Sequence, residues 1–130
     1  MRYLILGLLC TLAFSAMSAE KRCGWLVNPT PANLWLIDGT GTWTISIQGT
    51  GFIDEDSMDK MPTIDEKEFV RTNGNYGFSC VCLVVRVDKE KSSIRNIYGG
   101  EQLLLKQCLE DPQIHNKMPF PQIHNEMPLR

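Results

Sequence analysis

Phe78-Ser79-Cys80-Val81-Cys82-Leu83-Val84-Val85-Arg86-Val87 decides the fold class. Phe78, Cys80, Cys82 and Val84 share one face of an extended chain, and Val81, Leu83, Val85 and Val87 share the other. A strand that is apolar on both faces sits centrally, covered on each side. Working downstream, Asp88–Ser93 is a charged loop, and Ile94–Tyr98 reads as the next strand, paired back onto 78–87. Gly99-Gly100 turns the chain, and Leu103-Leu104-Leu105 leads to Cys108. Upstream, Trp43, Ile45 and Ile47 alternate with Thr42, Thr44, Ser46 and Gln48, a period of two with one buried face. Asp38-Gly39-Thr40-Gly41 is the turn joining this strand to Leu34–Ile37 in a hairpin. Asn28-Pro29-Thr30-Pro31-Ala32-Asn33 before it is extended and turn-rich. The expected fold is therefore mainly β: a small antiparallel meander, barrel or sandwich of about five strands.

Cys82 and Cys80 also open the question of cross-links. Apart from Cys10, the cysteines are Cys23, Cys80, Cys82 and Cys108, an even number in a short chain. Cys80 and Cys82 point to one face, near the upper distance limit for a bridge and with parallel side chains. Cys23 and Cys108 are thus expected to take one each, with the pairing open. The closed loops span roughly 58 and 28 residues, and a chain-entropy estimate gives about 3.5–4 kcal/mol each. A four-thiolate zinc site is the alternative, and its Cys-x-Cys spacing is unusual for zinc. Two disulfides are the reading adopted, with no metal and no cofactor.

Disulfides fit the N-terminus. Met1-Arg2 carries one positive charge, Tyr3–Phe14 is apolar apart from Gly7 and Thr11, and Ser15, Ala16, Ser18 and Ala19 are small. This is the pattern of a secretory signal peptide, too short for a membrane span of about 20 residues. Cleavage is placed after Ala19, with Ser18 as the alternative, and Cys10 belongs to the leader. The expected divisions are 1–19 signal peptide, 20–111 disulfide-stapled β domain and 112–130 tail, in an exported protein, periplasmic or secreted. Losing Arg2 takes the formal charge from −2 to −3. That balance opposes nucleic-acid binding, which wants a concentrated basic surface.

From Asp54 to Glu68 seven carboxylates face only Lys60 and Lys67. The expectation is a surface loop, with a helical turn over Ile64–Val70. Asp54, Asp56 and Asp59 resemble the start of a calcium loop. However, Met58 holds the fifth position, Asp59 replaces the sixth-position glycine and Asp65 the closing glutamate, so no metal is assigned. A carboxylate pair for glycosidase-like chemistry needs an apolar pocket that a polar loop does not supply.

The tail writes one nine-residue unit twice: Pro112-Gln113-Ile114-His115-Asn116-Lys117-Met118-Pro119-Phe120, then Pro121-Gln122-Ile123-His124-Asn125-Glu126-Met127-Pro128-Leu129. Prolines at both ends oppose helix and sheet, so 112–130 is expected to be disordered or loosely docked. His115 and His124 are the only histidines, and residues 20–111 have none. A Ser-His-Asp, Cys-His or His-ligated zinc centre within that stretch is thereby excluded.

Cys23-Gly24-Trp25 with Asn28–Asn33, Trp43-Thr44-Ile45 with Gln48-Gly49, Asn75-Tyr76-Gly77, Cys80-Val81-Cys82-Leu83 and Cys108-Leu109-Glu110-Asp111-Pro112 together resemble one family, domain of unknown function 4087. The resemblance covers about residues 23–112. It implies a bacterial periplasmic protein and carries no activity or catalytic residue.

The functional expectation is a non-enzymatic module binding another envelope protein, such as an inhibitor or immunity protein against a wall-degrading enzyme or toxin. Asp54, Glu55, Asp56 and Asp59 are its candidate contacts, since a charged loop on a rigid frame steers a basic partner. One alternative is a small-ligand, glycan-type binding protein using Trp35 as its platform. Another is a structural envelope protein. Trp25, Trp35 and Trp43 are all expected in or near the core rather than as a ligand platform, and Trp35 is the glycan candidate because Trp43 reads as buried.

Overall fold

The computed structural model describes residues 19–121 and Met127. The signal-peptide expectation for 1–18, and most of the second nonapeptide, lie outside the described residues. The elements are β1 (Glu20–Asn28), β2 (Leu34–Asp38), β3 (Gly41–Ile47), β4 (Gly51–Phe52), α1 (Glu55–Asp59), β5 (Phe69–Asn73), β6 (Tyr76–Asp88), β7 (Ser93–Leu103) and α2 (Leu105–Glu110). Short 3-10 turns occupy Glu66–Glu68 and His115–Lys117.

The strand order is β1-β2-β3-β7-β6, and β6 pairs back onto β1, so five strands close into a barrel. β3 and β7 run parallel and meet at one bridge, Thr44 opposite Ser93; the other barrel pairs are antiparallel. The parallel pair is unavoidable, because a ring with an odd number of strands cannot alternate direction all the way round. Order 1-2-3-5-4 with 4 closing on 1, and a helix between the third and fourth strands, is the connectivity of the OB-fold, a partly open Greek-key barrel. Of the expected architectures, the barrel is the one formed. The 34–37 and 42–48 hairpin appears as β2 and β3.

β6 is the central strand that its two apolar faces require. It pairs with β1 along Gly77–Val85 and with β7 along Cys80–Asp88. Val81, Leu83, Val85 and Val87 point into the barrel with Leu36, Trp43, Ile45, Ile94 and Ile97. Phe78 and Cys80 point outward, into a second cluster with Trp25 and Val27 of β1. Gly24 is where β1 presses on β2: a Cβ there would lie 1.9 Å from the Ile37 carbonyl oxygen. That crowding explains a glycine inside a strand.

The bridges are Cys23–Cys82 and Cys80–Cys108. The first joins directly opposed residues of β1 and β6. The second ties β6 to α2, holding the helix against the outer cluster. Such bonds suggest an oxidising, extracytoplasmic setting. Among the described residues no helix is long and apolar enough to cross a membrane.

The first nonapeptide departs from expectation. Ile114 and Met118 are buried in the outer cluster beside Leu105 and Cys108, and so is Met127 of the second unit. The Trp25 indole N–H donates to the Ile114 carbonyl at 3.0 Å. Residues 112–121 thus pack against the β domain through Ile114 and Met118. Proline prevents regular structure but leaves apolar side chains free to pack.

Candidate functional site

The barrel is closed at its weak seam by α1. Asp54 caps this helix, its carboxylate accepting from the Ser57 N–H at 3.3 Å. Glu55 and Asp56 fill the first turn, where carboxylates oppose the helix dipole favourably. Ser57 is buried, and its hydroxyl oxygen accepts from the Ile97 N–H of β7 at 3.1 Å. One side chain thus satisfies a backbone donor at the strand edge that β3 leaves uncovered. Met58 packs on the barrel core, while Asp54, Glu55, Asp56 and Asp59 stay exposed. Asp56 pairs with Lys60 one turn on, at 2.8 Å. The hydrogen bond to Asp56, together with its charge, holds the Lys60 ammonium above its ordinary 10.5.

Beside α1 a cleft of about 360 Å³ opens at one end of the barrel. Leu26 and Leu34 form part of its apolar wall, and Met58, Met61, Ile64 and Phe69 complete it. Asn28, Glu66, Arg71 and Asn75 contribute the polar lining. Arg71 joins Glu66 at 3.0 Å and hydrogen-bonds Asn75. Gln102 of β7 holds the connection in place: its amide oxygen accepts from the Asp65 N–H, and its NH₂ donates to the Asp65 and Glu68 carbonyls. Glu68 is buried and accepts from the Leu105 N–H at 3.1 Å, anchoring the start of α2.

A mainly apolar concavity with a few polar groups is the usual form of a binding site. Methionine thioethers adapt to differently shaped apolar guests. Among the described residues no three Asp, Glu, His or Cys side chains converge as metal ligands.

The structure brings Asp54, Glu55, Asp56 and Asp59 together on one short helix. The segment expected to be a loop contains α1, and the turn expected over 64–70 is a 3-10 turn followed by β5. Trp35 is elsewhere, on β2, half-buried against the outer cluster. Sequence reading missed Met58, Met61, Ile64, Phe69 and Arg71. Their signal was the three-residue spacing of Met58, Met61 and Ile64 among the acids, the mark of a chain with one face turned inward.

A buried polar knot lies at the β2–β3 turn. Asp38 accepts from Arg22 at 2.7 Å, from the Thr40 N–H and hydroxyl at 2.8 and 2.6 Å, from the Gly41 N–H at 3.2 Å and from the Trp43 indole at 3.1 Å. Burial alone would raise its pKa. The bonds from Thr40, Arg22 and Trp43 outweigh that and hold the carboxyl below its ordinary 3.8. The Arg22 guanidinium also stacks 4.0 Å from the Trp43 ring centroid. Every partner is internal, so the knot is structural.

Residues 17–115 match the family described as "Protein of unknown function (DUF4087)", and the chain belongs to it. No curated protein matches the chain, and no solved structure does.

Proposed function

We propose that this member of the DUF4087 family is an exported, non-enzymatic module that binds another protein of the cell envelope through the barrel-end cleft and α1. An inhibitor or immunity protein acting on a wall-degrading enzyme or toxin is its concrete form. One observation carries the reading: the methionine-lined cleft shares α1 with four exposed carboxylates, so an apolar hole has an acidic shoulder. Its natural guest is a protruding apolar side chain flanked by lysine or arginine. Carboxylates steer such a partner, and desolvation of the anchor holds it.

Export is supported by the leader pattern and by two disulfides in a small domain. Absence of catalysis is supported by a histidine-free stretch from 20 to 111 and by cysteines committed to bridges. The glycan alternative draws no support from Trp35, whose side chain is half-buried against the outer cluster.

The test is affinity capture from native periplasm with oxidised protein beginning at Glu20. Two variants run in parallel. One has Asp54, Glu55, Asp56 and Asp59 changed to Asn or Gln, and the other carries Met61→Glu in the cleft. The reading expects a stoichiometric partner whose activity the protein titrates. Capture should fall and lose its salt dependence in the first variant, and fail in the second. A partner held equally by all three proteins would place the interface elsewhere.

A further inference from the structure

The two disulfides sit in different surroundings. Cys80 and Cys108 are 0% and 1% exposed, sealed within the outer cluster. Cys82 and Val84 continue the outward face of β6 beyond that cluster, and Cys23 and Lys21 continue that of β1. Cys23 is half-buried, and Cys82 borders an open hollow of about 270 Å³ with Lys21, Val84, Gly100 and Glu101. None of these residues lines the barrel-end cleft.

The hollow lies on the side from which the bond can be attacked. A thiolate displaces one sulfur of a disulfide by approaching the other in line with the S–S bond. On the sheet Cys82 stands between Cys23 of β1 and Glu101 of β7. An approach over β7 therefore meets the Cys82 sulfur with Cys23 behind it as the leaving group. Gly99 keeps that approach clear. It faces Val84 across the β6–β7 ladder, where a Cβ would meet nothing within 4 Å, and its φ lies outside the left-handed region. Neither crowding nor the neighbouring bulge at Tyr98 thus requires glycine. A strand glycine of this kind suits the close approach of another backbone. Lys21 shares the outer face with Cys23 two residues away, and a nearby ammonium favours a thiolate leaving group. The sheet holds the two cysteines opposite one another without the bond, through nine register pairs from Glu20–Val85 to Asn28–Gly77.

We propose that Cys23–Cys82 is a thiol–disulfide exchange site whose co-reactant is a dithiol protein docking over Gly99, while Cys80–Cys108 is the permanent bridge. The partner's thiolate bonds to the Cys82 sulfur, and the electron pair of the broken S–S bond leaves on Cys23. The partner's second thiolate then attacks its own first sulfur and releases Cys82. The dithiol is oxidised to a disulfide, and Cys23 and Cys82 take up two electrons and two protons. The chain is the substrate of this exchange and not its catalyst.

The test uses oxidised protein beginning at Glu20, with reduced thioredoxin as the protein dithiol and dithiothreitol as the small one. Alkylation and peptide mass spectrometry read each cysteine. Thioredoxin should open Cys23–Cys82 at least about tenfold faster than Cys80–Cys108, and thioredoxin lacking its second cysteine should be trapped on Cys82. Gly99→Leu, which fills the approach, should slow thioredoxin about tenfold and dithiothreitol less than about twofold. Lys21→Gln acts on the leaving group and should slow both reagents alike. Unchanged far-UV circular dichroism and urea midpoints show that both variants are folded; a Gly99→Leu chain that fails this check is replaced by Gly99→Ser. Equal opening of the two bridges, trapping on Cys23, or a glycine variant that leaves the thioredoxin rate unchanged each overturns the proposal.

Discussion

Replacing Asp38 with asparagine removes one proton-binding site and little volume, so it isolates the charge at the centre of the β2–β3 knot. The Arg22 and Asp38 side chains are about 10% and 8% exposed. Breaking a buried pair by removing one charge costs about 3–5 kcal/mol, because the other is left uncompensated. Asparagine keeps one oxygen that can still accept from the Thr40 and Gly41 N–H groups, which offsets part of this. Its NH₂, however, would face the Arg22 donor. The net loss should be about 3 kcal/mol, a large share of the roughly 5–15 kcal/mol that holds a domain folded. At this size it lowers Tm by roughly 12–18 °C. Urea titration at pH 7 with disulfides intact, followed by far-UV circular dichroism, measures it. Since Trp43 itself donates to Asp38, fluorescence should change in the folded baseline too. A loss below about 1 kcal/mol, the range of exposed pairs, would refute the reasoning. The pH dependence gives an independent sign. The folded pKa lies below 3.8, so the carboxylate's contribution is fully present above the unfolded value and lost as pH falls through the folded one. The gap between wild type and Asp38→Asn should hold from pH 7 to about 5 and narrow below about 4.

Ser57→Ala should cost about 1–3 kcal/mol, because the buried Ile97 N–H loses its acceptor; exchange at that amide should accelerate with the same variant. Gly77→Ala should cost more than about 3 kcal/mol or prevent folding, since the new Cβ would sit 1.8 Å from the Val70 carbonyl oxygen; expression and thermal melting decide it. Paired serine replacements of Cys23 with Cys82 and of Cys80 with Cys108 should cost about 4.2 and 3.6 kcal/mol, from closed loops of 59 and 28 residues. Urea midpoints should fall in that order. Ile114→Ala should cost about 2–4 kcal/mol, as a buried anchor of the docked segment; a difference near zero by the same titration would mean that the segment adds nothing to the fold.

β6 was legible because its periodicity serves two interiors at once, and Trp43, Ile45 and Ile47 marked β3 by strict alternation. β1 was not recognised as a strand. Its Cys23-Gly24-Trp25-Leu26-Val27 core faces neighbours on both sides and so does not alternate. The acidic stretch was read by its charges, although Met58 and Ser57 fix its role. Their contribution depends on a gap between β3 and β7, and that gap arises only when the ring closes. The tail misled for a related reason. Proline reports what the backbone cannot do, and says nothing of whether Ile114 finds Trp25, 89 residues away.

The sequence by itself determined the mainly β class, the hairpin, the alternating faces of β6 and the exclusion of cysteine bridging between neighbours 80 and 82. These follow from local stereochemistry, where two-residue periodicity and turn residues act over a few bonds. Tertiary structure alone decided the closed ring with its parallel pair, the partners of Cys23 and Cys108, the cleft beside α1 and the seating of the first nonapeptide. Each of these depends on residues far apart in the chain meeting at one distance and angle, and no local pattern encodes that.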